Sequence, residues 1–182
     1  MSLRVACHQP NFVPHFGFFY KMSQCDIFII LSQVQFEKNG YQNRYFLQDK
    51  QKWVTKPVNG GLEPIYTKGY TDGANLLNIN MRFIEWVADV LDIQAEIVID
   101  IPTNSRSTQR LIDNINHYGG TVYVTNPSAK DKYLEEDVMK AAGIDIEYSS
   151  TPNSNLNILE MFEKFGIEGT KKQLYKAKKV IA

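Results

Sequence analysis

The sequence has few cysteines, no surplus of charge of either sign and no long apolar run. Cys7 and Cys25 are its two cysteines. Neither lies at a CxxC or zinc-finger spacing and two cannot build a disulfide framework, so a reducing, cytoplasmic location is expected. Twenty Lys and Arg residues balance 20 Asp and Glu residues. The chain therefore lacks the basic excess that drives nucleic-acid binding, and we expect no nucleic-acid partner.

No apolar stretch approaches the ~20 residues that a membrane-spanning helix needs, and from the first residues we expect no signal peptide. We therefore expect no membrane insertion. Hydrophobic residues make up 43% and aromatic residues 12% of the 182 positions, which is enough to bury a packed core. A chain of this length and composition predicts a single domain over residues 1–182.

Apolar, β-branched runs alternate with amphipathic segments of helical length. The predicted strands are Leu3–His8, Asp26–Leu31, Ala95–Ile101, Thr121–Thr125 and Ile144–Tyr148. The predicted helices are Phe16–Ser23, Leu76–Leu91, Thr108–His117, Ser128–Ala142, a helix from Asn155 to Gly166, and a last one opened by Gly169 and Thr170. This rhythm predicts an α/β fold with a mostly parallel, Rossmann-like sheet and helices on both faces.

A second pattern interrupts this alternation in the first half of the chain. Asn43–Leu47 and Lys52–Val58 flank the polar stretch Gln48–Gln51, as in a β-hairpin. A glycine-containing loop, Asn59–Asn75, follows. We therefore expect an inserted hairpin and loop at about residues 40–75.

Polar loops follow three of the predicted strands. They contain His8, Gln9 and Asn11 after the first strand, Ser105 and Thr108 after Ala95–Ile101, and Asn126, Ser128 and Lys130 after Thr121–Thr125. Ligands of open α/β sheets bind beyond the carboxyl ends of strands. The last two loops also open predicted helices, whose N–H groups attract phosphates. The alternative is that the Ser and Thr residues act only as helix caps.

Two of the three histidines, His8 and His15, lie within one short loop. Imidazole titrates near neutral pH, so each is a candidate general base or substrate hydrogen-bonding group. A structural role is the alternative for both. Their spacing, without Cys or acidic residues at ligand positions, matches no common metal site. We expect neither a metal nor another cofactor.

Three further polar residues are candidates for ligand binding. Arg44 opens the predicted hairpin, and its planar guanidinium suits a phosphate or carboxylate, although a surface salt bridge is the alternative. Gln33 and Gln35 follow the second predicted strand and share one side of an extended segment.

The residues from His8 to Arg44, HQPNFVPHFGFFYKMSQCDIFIILSQVQFEKNGYQNR, resemble the opening signature of the WbqC-like family. That signature joins a QP-aromatic loop, a Gly-aromatic helix, a D-x-F-[IV] strand, a VQ(F/Y) segment and an NR pair. The similarity continues through KWVTKPV and through TQRLIDNINHYGGTVYVTNPSAKDKYLEEDVMKAAGIDIEY.

The resemblance implies a role in the biosynthesis of bacterial surface polysaccharide, such as the O-antigen of lipopolysaccharide. It implies a transferase that acts on a nucleotide-activated amino sugar, with acyl or aminoacyl transfer as a candidate reaction. His8 would then deprotonate the amine, while Gln9, Asn11 or a backbone N–H stabilises the oxyanion. The implied partners are a nucleotide-linked sugar or another anionic small molecule, and a second copy of the chain or an enzyme of glycan biosynthesis.

Two departures from the family pattern favour the alternative of a non-catalytic binding or accessory protein. The long helical insertion that usually precedes the helix near Leu76 is replaced by a loop, and Ser149–Asn157 stands where a longer aromatic segment is usual. The sequence leaves open whether the chain is an enzyme.

Overall fold

The computed structural model describes residues 2–61, 63–149 and 155–176, which form two compact units. The sheet unit comprises residues 2–8, 21–31 and 94–149. The hairpin unit comprises residues 9–20, 32–61, 63–93 and 155–176. The single domain expected from the sequence stays a prediction.

The helices and strands follow the alternation that the sequence predicts. The strands are β1 Arg4–His8, β2 Ile27–Ile30, β3 Arg44–Leu47, β4 Lys52–Thr55, β5 Glu96–Ile99, β6 Val122–Thr125 and β7 Asp145–Tyr148. The helices are α1 Phe16–Met22, α2 Leu76–Val90, α3 Ser107–His117, α4 Glu136–Ala141 and α5 Ile158–Lys176. None of the helices in the described residues is long and apolar enough to cross a bilayer.

The sheet unit is built on a five-stranded parallel sheet of order β5-β2-β1-β6-β7. All four residues of β2 and the three inner residues of β1 are buried, as is usual for the central strands of parallel sheets. One face, which includes Val5, Ile29 and Tyr123, packs against the apolar stripe of α3 and against Met139 of α4. The predicted α/β fold with a parallel, Rossmann-like sheet flanked by helices is confirmed.

The predicted helix Ser128–Ala142 is wrong at its start, whereas its end is confirmed by the C-cap at Ala142. The chain instead forms a short 3₁₀ turn at Pro127–Ala129, and α4 begins only at Glu136. The N–H groups of Tyr133 and Leu134 both donate to the carbonyl of Ala129, which closes a turn, and Leu134 is 5% exposed in the core. Burial of this leucine stabilises the turn.

The hairpin unit contains the predicted inserted hairpin. Strands β3 and β4 pair antiparallel, with Phe46 opposite Trp53, so the hairpin is confirmed. A small core of Phe36, Ile65, Tyr70 and Leu76 lies between the following loop and α2. This core orders a loop that the sequence predicted only as irregular.

Helix α5 begins two residues later than predicted. Asn157, not Asn155, is the N-cap: its Oδ1 accepts from the N–H groups of Leu159 and Glu160. The Glu160 carboxylate in turn accepts from the Asn157 N–H at 3.1 Å, which completes a capping box. Gly166, with φ 66° and ψ 173°, interrupts the helix where an end was predicted. Residues 150–154 of the unusual segment Ser149–Asn157 lie outside the described residues.

Candidate functional site

The carboxyl edge of the sheet unit contains a reversal of strand order. From β1 the chain adds β2 and β5 on one side, and then β6 and β7 on the other. Open α/β sheets bind ligands beside such a reversal. The ladder between β1 and β6 pairs Arg4 with Val122 and Val5 with Tyr123, so the two strands are parallel neighbours. The fold therefore brings the carboxyl ends of β1 and β6, with partly exposed His8 and Asn126, to the same edge of the sheet.

Ser128 and Lys130 follow directly after β6 and are both exposed. The Lys130 ammonium lies 3.2 Å from the carboxylate of Glu136, which also accepts a hydrogen bond from the Tyr148 hydroxyl. These two hydrogen bonds, Tyr148 first and then Lys130, lower the pKa of Glu136. The same bond to Glu136 is the main reason that the pKa of Tyr148 is raised to about 12.

Sequence reasoning missed Glu136 and Tyr148 as parts of this edge. Tyr148 ends β7, which pairs with β6 so that Thr125 lies opposite it. No local sequence pattern predicts the contact between Glu136 and Tyr148, because it depends on the neighbouring strand and on the turn that precedes α4. The carboxylate matters chemically because it competes with any anionic ligand for Lys130.

The loop before α3 uses its predicted ligand-binding residues for local contacts. Thr108 is 1% exposed, and its hydroxyl donates to the Tyr133 carbonyl at 2.9 Å and accepts from the Glu135 N–H at 3.0 Å. Thr108 therefore holds the turn that precedes α4. The Ser105 carbonyl accepts from Arg110 Nε at 3.0 Å, and the Ser105 hydroxyl is the first of the groups that lower the pKa of Asp113.

Gln9 and Asn11 belong to the hairpin unit, where a buried amide fixes their loop. Asn80 of α2 is fully buried, and its Nδ2 donates to the carbonyls of Pro10 and Gln42, both at 2.7 Å. The loop backbone between Gln9 and Asn11 is thus fastened to α2 across 70 positions of sequence.

The hydrogen bonds around Asn80 also involve Tyr70, and those of Gln42 continue to Gln9. The Asn80 Oδ1 accepts from the Tyr70 hydroxyl at 2.8 Å, so both ends of the amide are satisfied. Gln42 Nε2 donates to Gln9 Oε1, which orients the Gln9 amide. The sequence offered a signal for Asn80: it lies four residues from both Leu76 and Ile84, in the apolar stripe of α2. A polar residue at that position is buried and must find partners.

His15 and Arg44 lie at opposite ends of a row of rings in the hairpin unit. The row, here called the aromatic face, consists of His15, Tyr41, Trp53, Phe46 and Arg44. The Arg44 guanidinium lies 3.9 Å from the Trp53 ring centroid and also donates to the Asn39 carbonyl. His15 packs edge-on against Tyr41 at 5.3 Å, and its Nδ1 lies 3.1 Å from the Asn155 carbonyl.

Gln33 and Gln35 lie in an extended segment whose contacts run to the loop at residues 63–65. Gln35 forms an isolated bridge with Pro64, and the intervening Val34 carbonyl accepts from the Ile65 N–H at 3.0 Å. Gln33 is partly exposed and Gln35 exposed. Both side chains remain candidates for ligand binding.

The predicted site residues therefore divide between the two units. The sheet unit holds His8, Ser105, Thr108, Asn126, Ser128 and Lys130, and the hairpin unit holds Gln9, Asn11, His15, Gln33, Gln35 and Arg44. In the sheet unit, His8 and Asn126 lie at the carboxyl ends of two neighbouring strands. In the hairpin unit, the aromatic face connects His15 with Arg44. Convergence of all twelve on one ligand stays a prediction.

Thiol chemistry is disfavoured at neutral pH. Burial is the main reason that the pKa of Cys7 and that of Cys25 are each raised to about 12, so both remain protonated. Lys21 is buried beside them, donates to the Cys7 carbonyl at 2.8 Å, and has its pKa lowered by burial to about 8. In the part of the chain that the structure describes, no group of three or more His, Cys, Asp or Glu residues is arranged to hold a metal ion.

Comparison with known proteins identifies the family. The profile of the WbqC-like protein family matches residues 9–64 and 60–156. The chain is also similar to the uncharacterized protein Rv1507c of Mycobacterium tuberculosis (strain ATCC 25618 / H37Rv), with 23% identity over 190 residues that cover 80% of this chain and 81% of that protein. No solved structure matches the chain significantly. Because the matched ranges cover most of the chain, including the polar end of β6 and the hairpin, the chain belongs to the WbqC-like protein family.

Proposed function

We propose that this protein is a transferase that acts on a nucleotide-activated amino sugar in bacterial surface glycan biosynthesis, and that it transfers an acyl or aminoacyl group to the sugar amine. The observation that carries the proposal is the reversal of strand order beside β1, which sets His8 and Asn126 at adjoining strand ends. A nucleotide-activated substrate also places the proposed reaction in the cytoplasm.

His8 is the proposed general base. An amine attacks an acyl carbonyl only through its lone pair, and the new C–N bond requires loss of one N–H proton. His8 takes this proton as the nitrogen attacks. The bond between the carbonyl carbon and the donor's leaving group then breaks, and the imidazolium returns the proton to that leaving group. The side chain is partly exposed at the end of a buried strand, which suits a base that must meet substrate.

The nucleotide's phosphates are proposed to bind beyond β6. Asn126, Ser128 and Lys130 offer an amide, a hydroxyl and an ammonium within five consecutive positions, and none of the three is buried. Phosphate oxygens accept from all three kinds of group. Gln9 and Asn11 are proposed as donors to the oxyanion, in agreement with the family resemblance.

Turnover tests the proposal. The purified chain is incubated with UDP-linked amino sugars and with acetyl-CoA or aminoacyl-tRNA as donors, and products are identified by mass spectrometry. His8→Ala is expected to lower kcat by about 100-fold or more, because a positioned general base contributes about that much. His117→Ala is the matched control, since His117 is an exposed histidine of the same unit at the end of α3. Unchanged turnover in His8→Ala would contradict the assignment.

The turnover experiment also tests the second candidate function. The loop that replaces the usual helical insertion favours a non-catalytic nucleotide-sugar binding or accessory protein. That function predicts saturable binding of a UDP-linked amino sugar to the wild-type chain with no product from any donor. Product formation by the isolated chain excludes it.

A further inference from the structure

The aromatic face presents two large exposed rings on one side of the hairpin. Phe46 and Trp53 are directly opposite each other in the antiparallel register, and Arg44 lies two residues before Phe46, so all three share one side. Tyr41 packs on the same indole with 5.5 Å between ring centroids. Tyr41 is 42% exposed and Trp53 41% exposed. Exposed aromatic rings that contact one another form a candidate binding surface.

The cation on this face is held in place. The Arg44 guanidinium stacks on the indole at 3.9 Å, and Asn39 accepts its hydrogen bond through the backbone carbonyl. A group that is ordered before binding loses less conformational entropy when a ligand arrives. Arg44 is also partly exposed, so an anion can reach it.

The basic residues of this segment do not all belong to the aromatic face. Residues 37–56 contain the five basic residues Lys38, Arg44, Lys50, Lys52 and Lys56, and the two acidic residues Glu37 and Asp49. Lys56 is paired with Asp72 at 2.6 Å, and Lys52 lies on the other side of the hairpin, opposite Leu47. Arg44 is the cation that shares a side with Phe46 and Trp53. The ligand complementary to this surface therefore carries negative charge next to a part that stacks on aromatic rings.

We propose that the aromatic face binds a sugar phosphate, with the sugar ring against Tyr41 and Trp53 and the phosphate on Arg44. A flat nucleobase fits less well, because the Tyr41 and Trp53 rings are inclined by 54° and one plane cannot stack on both. A puckered sugar ring presents C–H groups to both inclined rings. The inference deepens the proposed function and rests on it for the choice of a sugar as ligand.

Tryptophan fluorescence isolates this site. The chain has two tryptophans, so Trp86→Phe leaves Trp53 as the single indole reporter. Titration of this variant with glucose 1-phosphate is expected to change the emission saturably. Glucose and inorganic phosphate are each expected to bind at least tenfold more weakly, because each lacks one half of the ligand. Arg44→Gln is expected to weaken glucose 1-phosphate binding at least tenfold.

Calorimetry with matched variants controls for nonspecific effects. Trp53→Ala and Tyr41→Ala are each expected to weaken glucose 1-phosphate binding at least tenfold, while Trp86→Ala, which removes a 49% exposed indole of α2, leaves it unchanged. Circular dichroism confirms that each variant is folded. Because both tested rings are exposed, a single folded variant, Trp53→Ala or Tyr41→Ala, is enough to test the site. Equal affinities in the Trp53 and Trp86 variants would overturn the proposal.

The comparison ligands separate the remaining outcomes. Tighter binding of AMP than of glucose 1-phosphate overturns the sugar assignment, and equal binding of inorganic phosphate overturns the role of the rings. Glucose 1-phosphate binding that depends on Trp53, in a chain without any turnover, supports this inference while it contradicts the proposed transferase. If turnover depends on His8 but glucose 1-phosphate binding does not depend on Trp53, the proposed transferase is supported and this inference is contradicted.

Discussion

At the scale of single residues, Glu136 controls the charge offered by Lys130. The carboxylate lies 3.2 Å from the ammonium, so an anion that reaches Lys130 must displace it. Glu136→Gln is therefore expected to strengthen binding of pyrophosphate about two- to fivefold, the range typical of an exposed ion pair. Calorimetry measures the affinity, with Glu135→Gln as a charge-matched control. Equal affinities in the two variants would show that Lys130 takes no part in anion binding.

The same carboxylate sets the titration of Tyr148. A hydrogen bond to Glu136 stabilises the neutral phenol, which is why the pKa of Tyr148 is raised from 10.0 to about 12. In Glu136→Gln the charged acceptor is gone, and the pKa is expected to fall toward its ordinary value. NMR titration of the tyrosine ring signals checks this, with Tyr148→Phe to assign the resonance. A pKa that stays near 12 would refute the contact.

Asn80 is expected to be the most sensitive polar residue of the hairpin unit. Asn80→Ala leaves two buried carbonyls and the Tyr70 hydroxyl without their partner, and each such loss costs about 1–3 kcal/mol. We expect the free energy of unfolding to fall by about 3 kcal/mol in total. Urea denaturation measures it, with exposed Asn78→Ala of the same helix as control. Similar values for the two variants would mean that the amide contacts stabilise nothing.

At the scale of helices and strands, local signals decided what could be predicted. The start of α5 is predictable from sequence, because Asn157 and Glu160 have the spacing of a capping box, and the predicted cap at Asn155 is wrong by two residues. The turn before α4 could not be predicted from the local sequence. It depends on the Thr108 hydroxyl, which accepts from the Glu135 N–H 27 positions further along the chain. A helical pattern in sequence carries no record of such a distant partner.

Glu160 also joins α5 to the turn between β3 and β4. Its carboxylate accepts from the Gln48 N–H at 2.6 Å as well as from Asn157, and it is 7% exposed. Glu160→Ala removes several charge-assisted bonds at once, and we expect unfolding to become easier by about 2–3 kcal/mol. Thermal and urea unfolding measure the change. Exposed Glu163→Ala is the control and is expected to stay within about 0.5 kcal/mol of wild type.

At the scale of the whole molecule, strand order is what sequence alone left undetermined. The polar loops after strands were predicted correctly as loops, but the neighbour of each strand end depends on how the strands assemble. His8 and Asn126 lie at the ends of neighbouring strands only because β6 joins the sheet beside β1 rather than beyond β5. Chemistry that is local in sequence, such as the cap of α5, could be predicted, whereas chemistry shared between distant strands could not.

The free energy of unfolding of the sheet unit is also expected to depend on pH, because Lys21, Cys7 and Cys25 are buried titratable groups. Burial lowers the pKa of Lys21 from 10.5 to about 8, so above pH 8 the unfolded chain binds more protons than the folded one. Stability then rises with pH, by at most about 1.4 kcal/mol per pH unit for one proton. Cys7 and Cys25 act in the opposite direction, since burial raises each pKa from 9.0 to about 12. Their effect lowers stability as pH rises above about 9.

We therefore expect the free energy of unfolding to rise between pH 8 and 9 and to fall at higher pH. Lys21→Met removes the rise and leaves the fall, because the two thiols remain. Cys25→Ala makes the fall shallower and keeps the rise. Urea unfolding at closely spaced pH values measures both slopes, with exposed Lys140→Met of α4 as the matched control. If the wild-type and Lys21→Met curves run parallel from pH 8 to 9, the Lys21 ammonium is not destabilised by burial in the folded protein.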